Sequence, residues 1–355
     1  MELYAVIMAG GGGTRFWPMS RRKTPKQLLN LSGNDYMINE TIDRMAMVIP
    51  KEHIYIVTNE QQADLMLDVT AGRLSKEHIL TEPAARNTAA CIGYASAHIL
   101  KTRGDGILCV VPSDAYIRDW EVFSHTLEKA IKTAEKTDRL VTIGISPTFP
   151  ATGYGYIQKG AALDSGAFMV QTFREKPDAE TALHYLQDGS YLWNSGMFIW
   201  RATTILHWFE KLLPDLYADL QRIAAAIGTP EEQSTIQAVY PQLRKISVDY
   251  GIMEHCNQVA VVPGSFGWSD VGSWDMLRSL HQEDSCGNVF LGDVCSVDSQ
   301  NCIASSSGRL LSLIGMENTI VVETADSVLV CRSDRAQDVK KIVDILAEKG
   351  RTDLL

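Results

Sequence analysis

Met8-Ala9-Gly10-Gly11-Gly12-Gly13-Thr14-Arg15 puts four glycines directly after the first apolar run of the chain, Leu3–Ala9. Glycines without a Cβ let backbone N–H groups approach a ligand closely and turn tightly. At the end of a buried strand such a loop points its donors into the crevice where α/β sheets hold phosphates. Between Gly10 and Asn34 stand five cations, Arg15, Arg21, Arg22, Lys23 and Lys26, and no Asp or Glu. The whole chain has a formal net charge of −10, so this segment is a local exception that suits an anion. Neither common phosphate motif accounts for it. A P-loop needs Gly-Lys-Ser/Thr where Gly13-Thr14-Arg15 stands, and a dinucleotide fingerprint needs a small residue where Phe16 stands. On the loop alone, a bare structural turn stays open.

Two carboxylates stand out further along. Asp114 follows the apolar strand Ile107–Val111, at the C-terminal edge where such sheets receive ligands. Asp270 lies in a Gly/Ser/Trp-rich stretch and on spacing alone reads as a turn residue. Asn87 opens an alanine-rich segment and reads equally as a helix N-cap or as an amide donor to a ligand.

The elements that must position these residues alternate along residues 1–145. Strands are expected at 3–9, 53–58, 78–81, 106–111 and 140–145, with helices at 36–48, 60–74, 87–102 and 120–136. That alternation predicts an α/β fold with a mostly parallel, doubly wound, Rossmann-like sheet. Strand-like runs at 153–157, 168–173 and 194–200, with a helix at 179–186, predict a mixed extension of the sheet walling a substrate pocket. Residues 203–256 read as helical with breaks at Pro214, Pro230 and Pro241, followed by a strand at 258–262 and a helix at 272–281. From about Asn288, short Val/Ile/Leu strands alternate with polar turns, predicting a small β-rich domain, a short β-helix or compact sheet, closed by an amphipathic helix at 336–349. The expected division is a catalytic domain over 1–285 and a C-terminal domain over 286–355.

Composition bounds the function. With 355 residues, 45% hydrophobic and 21% charged, the chain reads as a soluble protein of two or three domains. Its acidic balance argues against nucleic-acid binding, which needs broad positive surface. No run reaches the roughly 18 apolar residues of a membrane span, and no basic leader precedes the first apolar run. Seven cysteines without a Cys-x-x-Cys pair suggest reduced, mostly buried thiols of a cytoplasmic protein. The histidines form no ligand-spaced set.

The longer string Gly10-Gly11-Gly12-Gly13-Thr14-Arg15-Phe16-Trp17-Pro18-Met19-Ser20-Arg21, followed by Pro25-Lys26-Gln27, resembles the signature of the sugar-1-phosphate nucleotidylyltransferases. Within that family, the Trp-Pro-x-Ser-Arg and Pro-Lys-Gln pieces are similar to the mannose-1-phosphate guanylyltransferases. Further motifs follow in family order: Thr81–Ala89, Pro112-Ser113-Asp114, Glu175-Lys176-Pro177, Asn194–Phe198 and Trp268–Trp274. Departures are mild, with Phe16 where Leu is usual, Leu28 where Phe often follows Lys-Gln, and Ala115 where His often follows the Asp. The resemblance implies a nucleotidyltransferase fold with a left-handed β-helix-like C-terminal domain. It implies transfer of GMP from GTP to α-D-mannose 1-phosphate by direct displacement, with release of pyrophosphate.

Both reactants are anions, so the residues must screen their repulsion and hold them aligned. The resemblance implies Arg15 on the triphosphate and Lys26 near the reacting phosphate. It also makes Asp114 and Asp270 carboxylate ligands of Mg²⁺, reversing the turn reading of Asp270. Gly10–Gly13, Thr14, Glu82, Pro83, Asn87, Thr88 and Ser113 then belong to the nucleotide site. Gly153, Tyr154, Glu175, Lys176 and Asn194 belong to the sugar-phosphate site, which Lys26 and Asp270 share. Glu82, by side chain or backbone, and Asn87 are candidates for reading guanine. A homodimer with a single activity is expected. The same chemistry on another hexose 1-phosphate or nucleoside triphosphate, and a silent sugar-nucleotide sensor, are the alternatives.

Overall fold

The computed structural model describes the backbone of residues 1–355 and every side chain except that of Ser165. Its contacts separate two compact units. One comprises Met1–Gly10, Thr41–Ser113 and Ile117–Trp268; the other comprises Gly11–Glu40, Asp114–Tyr116 and Ser269–Leu355.

The first unit is built on a nine-stranded sheet. Its strands are β1 (Leu3–Met8), β2 (Ile54–Asn59), β3 (Ile79–Glu82), β4 (Ile107–Pro112), β5 (Leu140–Ile145), β6 (Tyr156–Ala162), β7 (Phe168–Arg174), β8 (Tyr191–Arg201) and β9 (Val259–Gly264). They lie in the order β3-β2-β1-β4-β8-β5-β9-β7-β6. β1, β4 and β5 are near-continuous apolar runs because both of their faces are covered. Tyr4, Val6, Leu108 and Val110 pack on one side with helix α1 (Asn87–Arg103), while Ala5, Ile7 and Cys109 turn the other way and are equally buried. Helix α2 (Trp120–Thr137) packs against β4 and β5 through Phe123, Leu127, Ala130 and Ala134. α1 also meets α3 (Ala202–Leu212) and α4 (Pro214–Ala226). A Cβ at Gly93 would collide with Leu220, so the small residues of α1 set how closely that helix pair packs.

The strands drawn from residues 1–145 run parallel to one another, as expected, and the sheet as a whole is mixed; the difference is that β8 does not extend the sheet but is inserted at its centre. β8 runs antiparallel to both β4 and β5, between which it lies, and β7 is antiparallel to its neighbours β9 and β6. Three elements also shrink. The helix expected at 60–74 covers only Ala63–Val69, with Gly72 at φ 79° beyond its end. The strand expected from Gly153 begins at Tyr156. The helix expected over 272–281 is a 3-10 helix, Trp274–Ser279, because Ser273 is still fully extended.

In the second unit, strands β10 (Val289–Leu291), β11 (Val294–Val297), β12 (Ile303–Ser306), β13 (Leu311–Ile314), β14 (Thr319–Glu323) and β15 (Val328–Arg332) form two small sheets. β10, β12 and β14 pair in parallel, as do β11 and β13, and β15 closes the larger sheet antiparallel. This is the coiled, β-helix-like pattern. Alternation gives each strand two jobs: Val289, Ile303, Ile320 and Val322 join Phe16, Trp17, Val271 and Trp274 in one core, while Phe290, Ala304 and Val321 pack with Leu313 on the other side. Helix α5 (Val339–Glu348) closes the chain after a 3-10 turn at Ser333–Asp338. No helix among the described residues is long and apolar enough to cross a membrane. All seven cysteines are free, but only Cys91, Cys109 and Cys302 are buried, and Cys286 and Cys295 are exposed, contrary to the expectation of mostly buried thiols.

Candidate functional site

The second unit gathers residues from three distant stretches of sequence around the glycine turn. Gly13 has φ 54°, and a Cβ there would come within 2.6 Å of the backbone N of Lys26. Glycine at 13 is therefore what allows the turn to lie on Lys26. The turn is held from both ends. Gln27 Nε2 donates to the Gly11 carbonyl at 3.0 Å, and the Trp274 indole donates to the Trp17 carbonyl at 3.0 Å. Phe16 packs against the Trp274 ring, centroids 5.1 Å apart.

Lys26 is only 4% exposed. Its Nζ donates to Asp114 Oδ2 at 3.0 Å and to the Asp270 carbonyl at 2.5 Å. A cation so enclosed persists because it is paired and hydrogen-bonded. Val271 is buried at φ 44°, an unusual conformation for a β-branched residue, held by packing with Phe16 and Trp274. That backbone kink sits directly beside the carbonyl that Lys26 meets. Arg15, Lys26, Asp114 and Asp270 line one cavity of 390 Å³ together with Gly13, Thr14, Phe16, Gly272 and Lys340. Arg15 is exposed at its rim. Gly272 leaves room for the Asp270 carboxylate, whose Oδ2 would lie 2.9 Å from a Cβ there. Among the lining side chains, Phe16, as a lining residue, and Lys340 carry no role in the sequence reading.

The sugar-site candidates lie in the first unit. β8 carries Asn194, and a register shift between Thr142 and Gly144 on its partner β5 bulges the ladder at this point. Gly196 there has φ 72°, and the Ser195 hydroxyl donates to the Ile143 carbonyl at 2.6 Å. Asn194 Nδ2 donates to Asp249 Oδ1 at 2.9 Å, while its Oδ1 accepts from Thr142 Oγ1 at 3.3 Å and from Gly196 N at 3.2 Å. Glu175 pairs with Lys176 at 2.8 Å, and its other oxygen, Oε2, is buried without a hydrogen-bond partner among the described residues. A Cβ at Gly155 would collide with that oxygen, so the glycine leaves it room. Glu254 Oε1 accepts from the Glu175 backbone N–H at 2.9 Å. Burial, reinforced by the Glu175 charge, pushes the Asp249 carboxyl up to about 6. Partial burial pulls Lys176 down, but its bond to Glu175 outweighs this and raises it. Tyr154 stacks edge-on to Trp193 and Trp268, with centroids 5.1 and 5.4 Å away. A Cβ at Gly153 would meet nothing within 4 Å.

Asp249 was not anticipated. It is an acid inside the run Val248–Met253, and only its folding as a π-helix, Asp249–Met253, brings it to Asn194. Thr88 supports the same stretch, its Oγ1 accepting from Val248 N at 2.9 Å.

The guanine-reading candidates behave differently. Glu82 is 5% exposed and accepts from the Tyr240 hydroxyl; burial pushes its carboxyl up to about 7, against the pull of that hydrogen bond. A Cβ at Gly10 would meet Glu82 Oε2 at 2.7 Å. The Glu82 carbonyl accepts from Glu60 N at 3.2 Å. Asn87 is exposed at φ 68°, and its Oδ1 accepts from the next N–H, that of Thr88, at 2.8 Å. Ser113 is buried, its N–H donating to the Met8 carbonyl at 3.1 Å. Pro83 is half-buried beyond β3.

A glycine turn over a buried lysine, two aspartates in the same cavity and a mixed nine-stranded sheet define a class, and comparison with known proteins agrees. The nucleotidyl transferase family model matches residues 4–286, and a MannoseP isomerase/GMP-like beta-helix domain model matches residues 292–346. The chain belongs to the nucleotidyl transferase family and is an enzyme of that class. It is 38% identical over 359 residues to the alginate biosynthesis protein AlgA of Pseudomonas aeruginosa, covering 98% of this chain and 73% of that protein. It is 38% identical over 358 residues to a mannose-1-phosphate guanylyltransferase of Salmonella muenchen, covering 99% of this chain and 75% of that one. A crystal structure from Thermus thermophilus, described as a mannose-1-phosphate geranyltransferase, superposes with a TM-score of 0.89 at 33% identity, covering 98% of this chain and all of that one.

Proposed function

We propose that this enzyme transfers GMP from GTP to α-D-mannose 1-phosphate, giving GDP-mannose and pyrophosphate. The observation that carries the reading is the enclosed Lys26, clasped by Asp114 and the Asp270 carbonyl under the glycine turn, in a cavity shared with Arg15. A cation and backbone N–H groups held this firmly need no reorganisation as charge develops on a phosphate, which is how such sites accelerate transfer. The Salmonella relative's activity points to the same substrates.

In this reading a phosphate oxygen of the sugar phosphate forms a new bond to the α-phosphorus of GTP. The bond from that phosphorus to the bridging oxygen breaks, and its electron pair leaves on pyrophosphate. Arg15 holds triphosphate oxygens through its planar fork. Lys26 offsets charge at the reacting phosphate. Glu175 and Asn194 accept from and donate to sugar hydroxyls, Gly153 and Tyr154 border the ring, and Lys176 holds the sugar's phosphate. Asp249 joins this acceptor set. Asp114 and Asp270 fit Mg²⁺, since carboxylate oxygens are the hard donors it takes, with phosphate oxygens and water filling its remaining positions. Bound there, the ion would supply further positive charge at the phosphates.

The test is a matrix of nucleoside triphosphates against hexose 1-phosphates, scored by pyrophosphate release. The expected maximum is GTP with mannose 1-phosphate. A maximum with another pair moves the specificity and keeps the chemistry. Tight binding of both substrates without pyrophosphate release would instead make the chain a sensor.

A further inference from the structure

Lys340 lines the cavity of Arg15, Lys26, Asp114 and Asp270, yet it comes from the helix that closes the chain. We propose that Lys340 is a third cation of the nucleotide site, holding the β- and γ-phosphates of the triphosphate and then the departing pyrophosphate. The proposal rests on the nucleotidyl-transfer reading and extends it to a residue outside every motif of that reading.

Three observations carry it. The first is placement: Val339 is 2% exposed and packs in the same core as Phe16 and Trp17, so the residue after it is delivered beside the turn Thr14–Phe16, against which α5 packs. The second is local chemistry that runs against helix preference. The positive end of a helix dipole favours acids; α5 has one at its N-cap, Asp338, but its first turn carries Lys340 and Lys341. Lys341 is compensated by Asp338 at 2.7 Å. Lys340 has no such ion pair among the described residues, and Asp344, one turn on, lines a separate cavity of 210 Å³.

The third is charge balance. Of the charged side chains lining the cavity, Asp114 and Asp270 cancel Arg15 and Lys26, so Lys340 is what leaves it net positive. Lys26 is moreover committed to Asp114. A cavity that receives a triphosphate gains from a cation that is not tied to a protein carboxylate. As the bond to the α-phosphorus breaks, negative charge moves onto the pyrophosphate, and a flexible ammonium can follow it.

The experiment measures binding of GTP and of inorganic pyrophosphate by calorimetry, with steady-state kinetics in both directions, for the wild type, Lys340→Met, Lys340→Arg and Lys341→Met. Loss of one partly exposed charge-assisted hydrogen bond predicts about tenfold weaker binding of both ligands by Lys340→Met. The KM for the sugar phosphate should stay within about twofold, Lys340→Arg should recover most of the affinity, and Lys341→Met should behave as wild type. Raised salt should shrink the difference between wild type and Lys340→Met. Wild-type affinity in Lys340→Met, with a wild type that binds both ligands, overturns the role of Lys340 alone. A wild type that binds neither ligand overturns the nucleotide reading along with it.

Discussion

The two candidate sites use charge in opposite ways. Around Lys26 in the second unit, unlike charges meet: an enclosed ammonium is clasped by a carboxylate and a carbonyl. Around Asn194 in the first unit, carboxyl groups gather: Glu175, Asp249 and Glu254 are linked through Asn194 and the Glu175 backbone, with Lys176 as their cationic partner. The first arrangement suits a ligand that brings its own negative charge. The second offers acceptors to a ligand rich in hydroxyl groups and holds one of its own acids, Asp249, above the ordinary carboxyl range. A site's sign thus follows from which charges are satisfied within the protein and which are left for a ligand.

Substituting the centre of the cationic site should have the largest effect. Lys26→Ala is expected to lower kcat by on the order of 100- to 1,000-fold, measured by pyrophosphate release, while a thermal melt shows a folded protein. Near-wild-type turnover would remove the charge contrast between the sites. Asp114→Asn and Asp270→Asn should each cost roughly 100-fold in turnover and weaken the dependence on added Mg²⁺; an unchanged Mg²⁺ titration in both would show that these carboxylates do not hold the ion.

At the acidic site the effects should be smaller and confined to the sugar. Glu175→Gln is expected to raise the KM for the sugar phosphate about tenfold, one charge-assisted hydrogen bond, with the KM for GTP unaltered. A change shared equally between the two substrates would make the residue structural. The mildest effect should come from pH. Asp249 ionises near pH 6, so the KM for the sugar phosphate should fall as pH rises through that value and an acceptor becomes available. The same raised value works the other way on folding. Protonation is favoured in the native state, so this contribution to stability is fully present below the ordinary carboxyl range and is lost as pH rises to about 6. Asp249→Asn should flatten both curves.

The catalytic candidates were legible because they lie in strings that together resemble one family's signature; on residue types alone the glycine loop could be a bare turn and Asp270 a turn residue. Arg15, Lys26, Asp114 and Asp270 were read from that resemblance, and they line one cavity. Asp249 was hidden, since a lone acid amid apolar neighbours carries no sign of which way a π-helix will turn it. Lys340 was hidden for another reason. An amphipathic pattern assigns it to the polar face of α5, and only the docking of Val339 beside Phe16 decides what that face meets. A strand pattern reads the same whatever its neighbours, which is why a mixed extension was expected where β8 is in fact inserted between β4 and β5.

The four glycines of the turn are not equivalent. A side chain at Gly10 would press on Glu82, and one at Gly13 on Lys26, whereas a Cβ at Gly11 would meet nothing within 4 Å and one at Gly12 only the Thr14 methyl group, at 3.9 Å. A library of variants at the two middle positions would therefore separate fitness from foldability. Substitutions there that express normally but abolish turnover would trace the outline of the bound substrate, a footprint recorded in the protein's mutational tolerance.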